Sequence, residues 1–113
     1  MTKVGQFVTD PKAGAYCQLT LDSGEKLTVN HDKGGFKGGH LTIEKKKWMG
    51  FGSDPLFACD LDSAAGKAAV ARVTEGAAMD SAAATPLGGF ANYIKDARSA
   101  EDVKVKCMSL LSA

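Results

Sequence analysis

Aromatic residues are scarce in this chain, at 7% of the total, and both histidines and all three prolines are spread singly. No apolar run approaches the ~18 residues that a membrane-spanning helix needs. The N-terminal MTKVGQFVTD has no apolar stretch of the kind that forms a signal peptide core. Charge of either sign is also not in excess: 14 Lys and Arg against 13 Asp and Glu leave a formal +1, which excludes whole-molecule attraction to nucleic acid or membrane.

Cysteine is present but unhelpful for cross-linking. Cys17, Cys59 and Cys107 are far apart, odd in number and without a C-x-x-C pair, the usage of reduced thiols in a cytoplasmic protein. His31 and His40 show no H-x-x-x-H spacing, so no metal centre and no metal cofactor are expected. A cysteine with a histidine is the minimal nucleophilic set. Cys17, Cys59 and Cys107 all fall on apolar faces, where a thiol is packing. Asp60 and Asp62 share an outward strand face and read as a solvated pair. The expectation is a non-enzymatic protein without cofactors.

What is there suits one small domain over residues 1–113, of ordinary globular composition at 44% hydrophobic. Lys3 to Thr9 reads as a short strand, ended by Asp10-Pro11. The clearest local pattern is AYCQLTLDSGEKLTVNH. Ala15, Cys17, Leu19 and Leu21 alternate with Tyr16, Gln18 and Thr20, and Leu27, Val29 and His31 are in phase on the return. A two-residue turn would split the apolar faces. A three-residue turn, Asp22-Ser23-Gly24, pairs Leu19 with Leu27 and Cys17 with Val29, with Gly24 in the left-handed position.

His40 to Trp48 forms the next strand, with Leu41 and Ile43 inward. Lys45 and Lys47 continue that face, and unpaired ammonium groups are too costly to bury. The strand therefore either leaves the core near Glu44 or changes phase through a bulge. It is expected to run on from Lys45 to Phe51 as a ribbon projecting beyond the core. From Leu56 to Asp62 the alternation returns, and parity across Ala64-Ala65-Gly66 favours a second hairpin running to about Glu75. The rival is an alanine-rich helix capped by Ser63.

Residues 77–84 read as a loop or a loose helical turn. Thr85-Pro86 is a helix start, and Leu87, Phe90, Ala91, Ile94 and Ala97 make its apolar stripe. Ser99 and Asp102 resemble a capping box before Val103, Cys107, Leu110 and Leu111, although Val103, Val105 and Cys107 also alternate as a short strand would. The fold class is thus α+β: a small antiparallel barrel or strongly bent sheet of five or six strands over about 3–75, with one or two C-terminal helices over about 85–112. That element order would suit a pleckstrin-homology-like or SH3-like barrel with a helical cap.

Between residues 31 and 52, five lysines face only Asp32 and Glu44, a local +3 that leaves −2 for the rest. Gly34 to Gly39, with Lys33 and Lys37, offers free N–H groups to an anion, or serves as a flexible connection; it does not match a P-loop. Lys45, Lys46 and Lys47 with Phe36, Trp48 and Phe51 combine cations for phosphates with rings that stack on bases. The same run also suits a lysine-protected edge strand or an oligomer face anchored by its aromatics. The leading expectation is a binding module using Lys33, Phe36, Lys37, Lys45, Lys46, Lys47, Trp48 and Phe51 for an anionic ligand, nucleic acid included, or for a partner. The alternative is a structural homo-oligomer with an aromatic edge-strand interface.

Overall fold

A computed structural model describes residues 3–5, 8–10, 14–32, 39–47, 52–76 and 85–112. Two short segments, β1 (Lys3–Val4) and β2 (Val8–Asp10), precede four full strands: β3 (Gly14–Thr20), β4 (Lys26–Asp32), β5 (His40–Lys46) and β6 (Ser53–Asp60). Three helices follow, α1 (Ala64–Val73), α2 (Pro86–Ile94) and α3 (Ala100–Ser112), and none is long and apolar enough to cross a membrane.

The first hairpin obeys its parity. Leu19 faces Leu27, Cys17 faces Val29 and Thr20 faces Lys26. Leu21 N–H donates to Glu25 O at 2.9 Å, and Gly24 N–H to Leu21 O at 2.9 Å, which leaves Asp22, Ser23 and Gly24 as the loop. Gly24 has φ of 89°, the left-handed region that closes such a turn.

The four full strands form an antiparallel meander in the order β3-β4-β5-β6, with β1 and β2 both laid along the outer edge of β3. The single N-terminal strand expected from the sequence is thus interrupted. Lys3 pairs with Thr20 and Val8 with Tyr16, so the register slips by one residue between the two segments. The sheet does not close into a barrel. Among the described residues β6 pairs only with β5, because the segment that was expected to return as a strand is α1. Parity misled there for a physical reason: alternating alanines satisfy a strand pattern as readily as a helix, whereas alanine's propensity and a capping serine favour the helix alone. Ser63 Oγ accepts from Gly66 N–H at 2.9 Å.

All three helices pack on one face of the sheet, over Cys17, Leu19, Leu27, Val29, Leu41 and Ile43, which are at most 1% exposed. α2 delivers Leu87, Phe90, Ala91 and Ile94 to this layer, with Thr85 Oγ1 capping Gly88 N–H at 3.1 Å. Phe90 is fully buried, and its ring lies 5.9 Å from that of Phe57 on β6. α3 adds Val103, Cys107 and Leu110, which settles the 103–107 stretch as helix. Half of the expected capping box forms: Ser99 Oγ accepts from Asp102 N–H, but the Asp102 carboxylate accepts from Arg98 N–H, one residue further back. Residues 77–84 lie outside the described residues.

Two glycines are required for different reasons. At Gly24 a Cβ would meet open space, so only the backbone conformation objects to it. At Gly66, in the first turn of α1, a Cβ would overlap the Asp60 carbonyl oxygen. Gly24→Val should therefore cost about 1–2 kcal/mol through the left-handed penalty. Gly66→Ala should cost at least about 2 kcal/mol through overpacking, although alanine is the better helix former. Urea denaturation of both variants checks the pair; a neutral or stabilising Gly66→Ala contradicts the close approach of α1 to the end of β6.

Candidate functional site

β5 does not leave the sheet at Glu44. It stays in register with β4 to its end, with Ile43 facing Val29 and Lys45 facing Leu27. The expected bulge is present, but in the partner strand. Ile43 faces Phe57 and Glu44 faces Pro55, so Leu56 is the extra residue of β6. Proline suits that position, since it lacks the N–H that a regular ladder would use and β6 is an edge.

This one-residue slip decides which lysines Asp54 can reach. In the unshifted register Asp54 would stand opposite Lys46. After the slip it stands opposite Lys45, on the face shared by Lys45 and Lys47. Lys47 Nζ is 3.5 Å from Asp54 Oδ1, and Lys45 Nζ is 3.2 Å from Glu25 Oε2. Lys45 thus keeps its place on the core side with its ammonium paired and partly wet, instead of forcing the strand out.

Glu25 does more than neutralise Lys45. Its Oε1 accepts from Ala100 N–H at 3.0 Å and from Ser23 Oγ at 2.8 Å. Ala100 opens α3, and its N–H is one of those a helix start leaves without an internal partner. One carboxylate therefore ties the first hairpin, the end of β5 and the start of α3 together. The Ala100 N–H, the Ser23 hydroxyl and the Lys45 ammonium hold its pKa below the usual 4.5, against an opposing effect of partial burial.

Lys46 points the other way, onto the face without helices. Lys26 and Lys46 are the residues next to the paired Leu27 and Lys45, they line one cleft, and both are exposed. Neither ammonium has an ion-pair partner among the described residues. They flank a shallow cleft of ≈ 140 Å³, lined also by Gln18 and Thr20 with Leu19 and Leu27 between them. Like charges adjacent across strands repel and destabilise a sheet, and an anion between them removes that repulsion.

Of the expected site residues, then, Lys45 and Lys47 are engaged by carboxylates and Lys46 lines the cleft. Lys33, Phe36, Lys37, Trp48 and Phe51 lie outside the described residues. Lys26, Gln18 and Thr20 were missing from the expected set. The turn parity already carried the signal, because it places Thr20 opposite Lys26 and sets Gln18 and Thr20 on the outward face.

Other chemistries find little support here. Among the described residues no group of three His, Cys, Asp or Glu side chains is placed to hold a metal ion. Cys17 and Cys107 are buried, Cys59 is half-buried, and all three are free thiols. Burial raises the pKa of each, and Cys107 is pushed up to about 12, with Cys59 adding to the effect. Thiols held so far from the thiolate are poor nucleophiles.

The Glu25 junction gives a pH-dependent expectation. A carboxylate with a lowered folded pKa contributes stability that is complete above its unfolded value, near 4.5, and that disappears as pH falls through the folded value. Glu25→Gln should lower stability at pH 7 by about 1 kcal/mol, with the gap to the parent closing as pH falls below 4.5 and through the lowered folded value. Denaturant unfolding of both proteins across that range is the check, and a gap that persists unchanged into acid contradicts it. No protein-family model, curated protein or solved structure matches this chain.

Proposed function

We propose that this chain is a single-domain, non-enzymatic binding module that takes an anionic ligand at the basic end of its open sheet face. The observation that carries the reading is the pair of exposed lysines, Lys26 and Lys46, which line one cleft without a carboxylate partner among the described residues, while Lys45 and Lys47 on the opposite face each have one. Gln18 and Thr20 supply hydrogen-bonding groups beside the two cations. A site of this kind holds a phosphate or carboxylate group by charge-assisted hydrogen bonds. Trp48 and Phe51, which follow Lys47 in the chain, are proposed as further contacts at this end; Lys33, Phe36 and Lys37 follow Asp32, at the other end of β4, and are proposed as contacts only for a ligand that runs the length of the face. Self-association through the β6 edge is the weaker reading, because Pro55 and the bulge oppose strand addition there.

Trp48 is the only tryptophan and serves as the reporter. Titration with inorganic polyphosphate should change its emission, and added salt should reverse the change as counterions compete. Lys26→Gln and Lys46→Gln should each weaken binding roughly three- to fivefold, with little change in stability. Lys45→Gln should instead lower stability, because it removes a partner of Glu25. Polyphosphate binding that survives the Lys26→Gln/Lys46→Gln double variant at parental affinity would falsify the assignment.

A further inference from the structure

The open face carries more than its two lysines. Along β3 the outward set is Tyr16, Gln18 and Thr20, facing Asn30, Thr28 and Lys26 of β4 in turn. Tyr16 is 40% exposed, and among the described residues it is one of three large apolar side chains that stand in solvent and the only one of them on the sheet. Beside it, Asn30 continues across the ladder to Thr42 of β5 and then to the exposed Ala58 of β6. The face therefore carries mostly small polar groups, with Glu44, His40 and Asp60 among them, a ring toward one end and a cation pair at the other.

We infer that this face binds a short stretch of single-stranded nucleic acid, with one base stacked on Tyr16 and a phosphate held between Lys26 and Lys46. The inference rests on the anion-binding reading above and names the ligand class for that same face. Ring and cations select the two halves of a nucleotide chain: stacking on an aromatic side chain tolerates any base, while lysines take the backbone. Spacing favours an oligonucleotide over a free nucleotide. Tyr16 and Thr20, which faces Lys26, are four residues apart on one strand, about 13 Å at the rise of a β-strand. That is more than the reach from a base to its own phosphate and suits a phosphate further along the chain. The cleft itself is shallow and open, with room for a phosphate group between the two ammonium groups. Between the two ends lie Gln18, Thr28 and Asn30, donors and acceptors within reach of sugar and base edges. Glu44 also lies on this face, opposite Thr28, and is already engaged in an interaction of its own.

The test compares a labelled oligothymidylate of about ten nucleotides, within the usual length of a single-strand site, with inorganic polyphosphate, which has charge but no bases. Both are titrated into the parent, Tyr16→Thr and Tyr16→Phe. Threonine suits the same strand conformation, and Tyr16→Val replaces it if that variant does not fold. The expected result is oligonucleotide binding that weakens about tenfold in Tyr16→Thr, is kept in Tyr16→Phe, and is accompanied by unchanged polyphosphate affinity in both. If the parent binds both probes and Tyr16→Thr alters neither, the nucleic-acid assignment is overturned and the anion site stands. If polyphosphate binds and the oligonucleotide does not, the ligand class is again wrong. If neither probe binds, both readings fall together.

Discussion

A strand has only two faces, and three consecutive lysines must divide between them. In this molecule Lys45 and Lys47 take the core-side face and Lys46 the open one. Lys45 reaches Glu25 of the first hairpin, and the extra residue Leu56, by moving Asp54 from opposite Lys46 to opposite Lys45, gives Lys47 its carboxylate. Lys46 is left beside Lys26 on the open face. The Asp54 partner of Lys47 and the removal of Asp54 from opposite Lys46 are consequences of the same one-residue shift.

The helices complete the arrangement from the other side. Their burial of Leu19, Leu27, Leu41 and Ile43 fixes which face of the sheet is core, and hence which face stays open. Each of these side chains contributes about 1.5–3 kcal/mol on burial, far more than the exposed ion pairs at the sheet's end. The apolar layer therefore determines the register, and the charges settle into the positions it leaves. Glu25 is where the two meet. It serves Lys45, Ser23 and the first N–H of α3, and so anchors the last helix to the first hairpin across 75 residues of sequence.

The parts legible in the sequence were those governed by local periodicity. The three-residue turn at Gly24 followed from parity alone, and the starts of α2 and α3 followed from Thr85-Pro86 and Ser99. The conflict between Leu41, Ile43 and Lys45 signalled an irregularity near Glu44, but not which strand would carry it. That choice depends on Pro55, whose missing N–H matters only once β6 is known to be an edge. The alanine-rich 64–73 stretch was misread because parity cannot distinguish small side chains on a strand from those on a helix. With it went the barrel, since among the described residues no further strand pairs with β6. The site was half legible: Lys46 was among the expected residues, whereas Lys26 required a partner strand before it could be seen beside Lys46.

Tying the cleft to the sheet's open face makes a spatial claim that affinities alone do not test. Backbone amide chemical shifts, followed by heteronuclear NMR during titration with inorganic polyphosphate, test it directly. The account predicts the largest changes at Gln18, Thr20, Lys26 and Lys46, with small ones at core positions such as Phe90 and Val103. Changes centred on the helices, or the absence of any change along β3, β4 and β5, would contradict it.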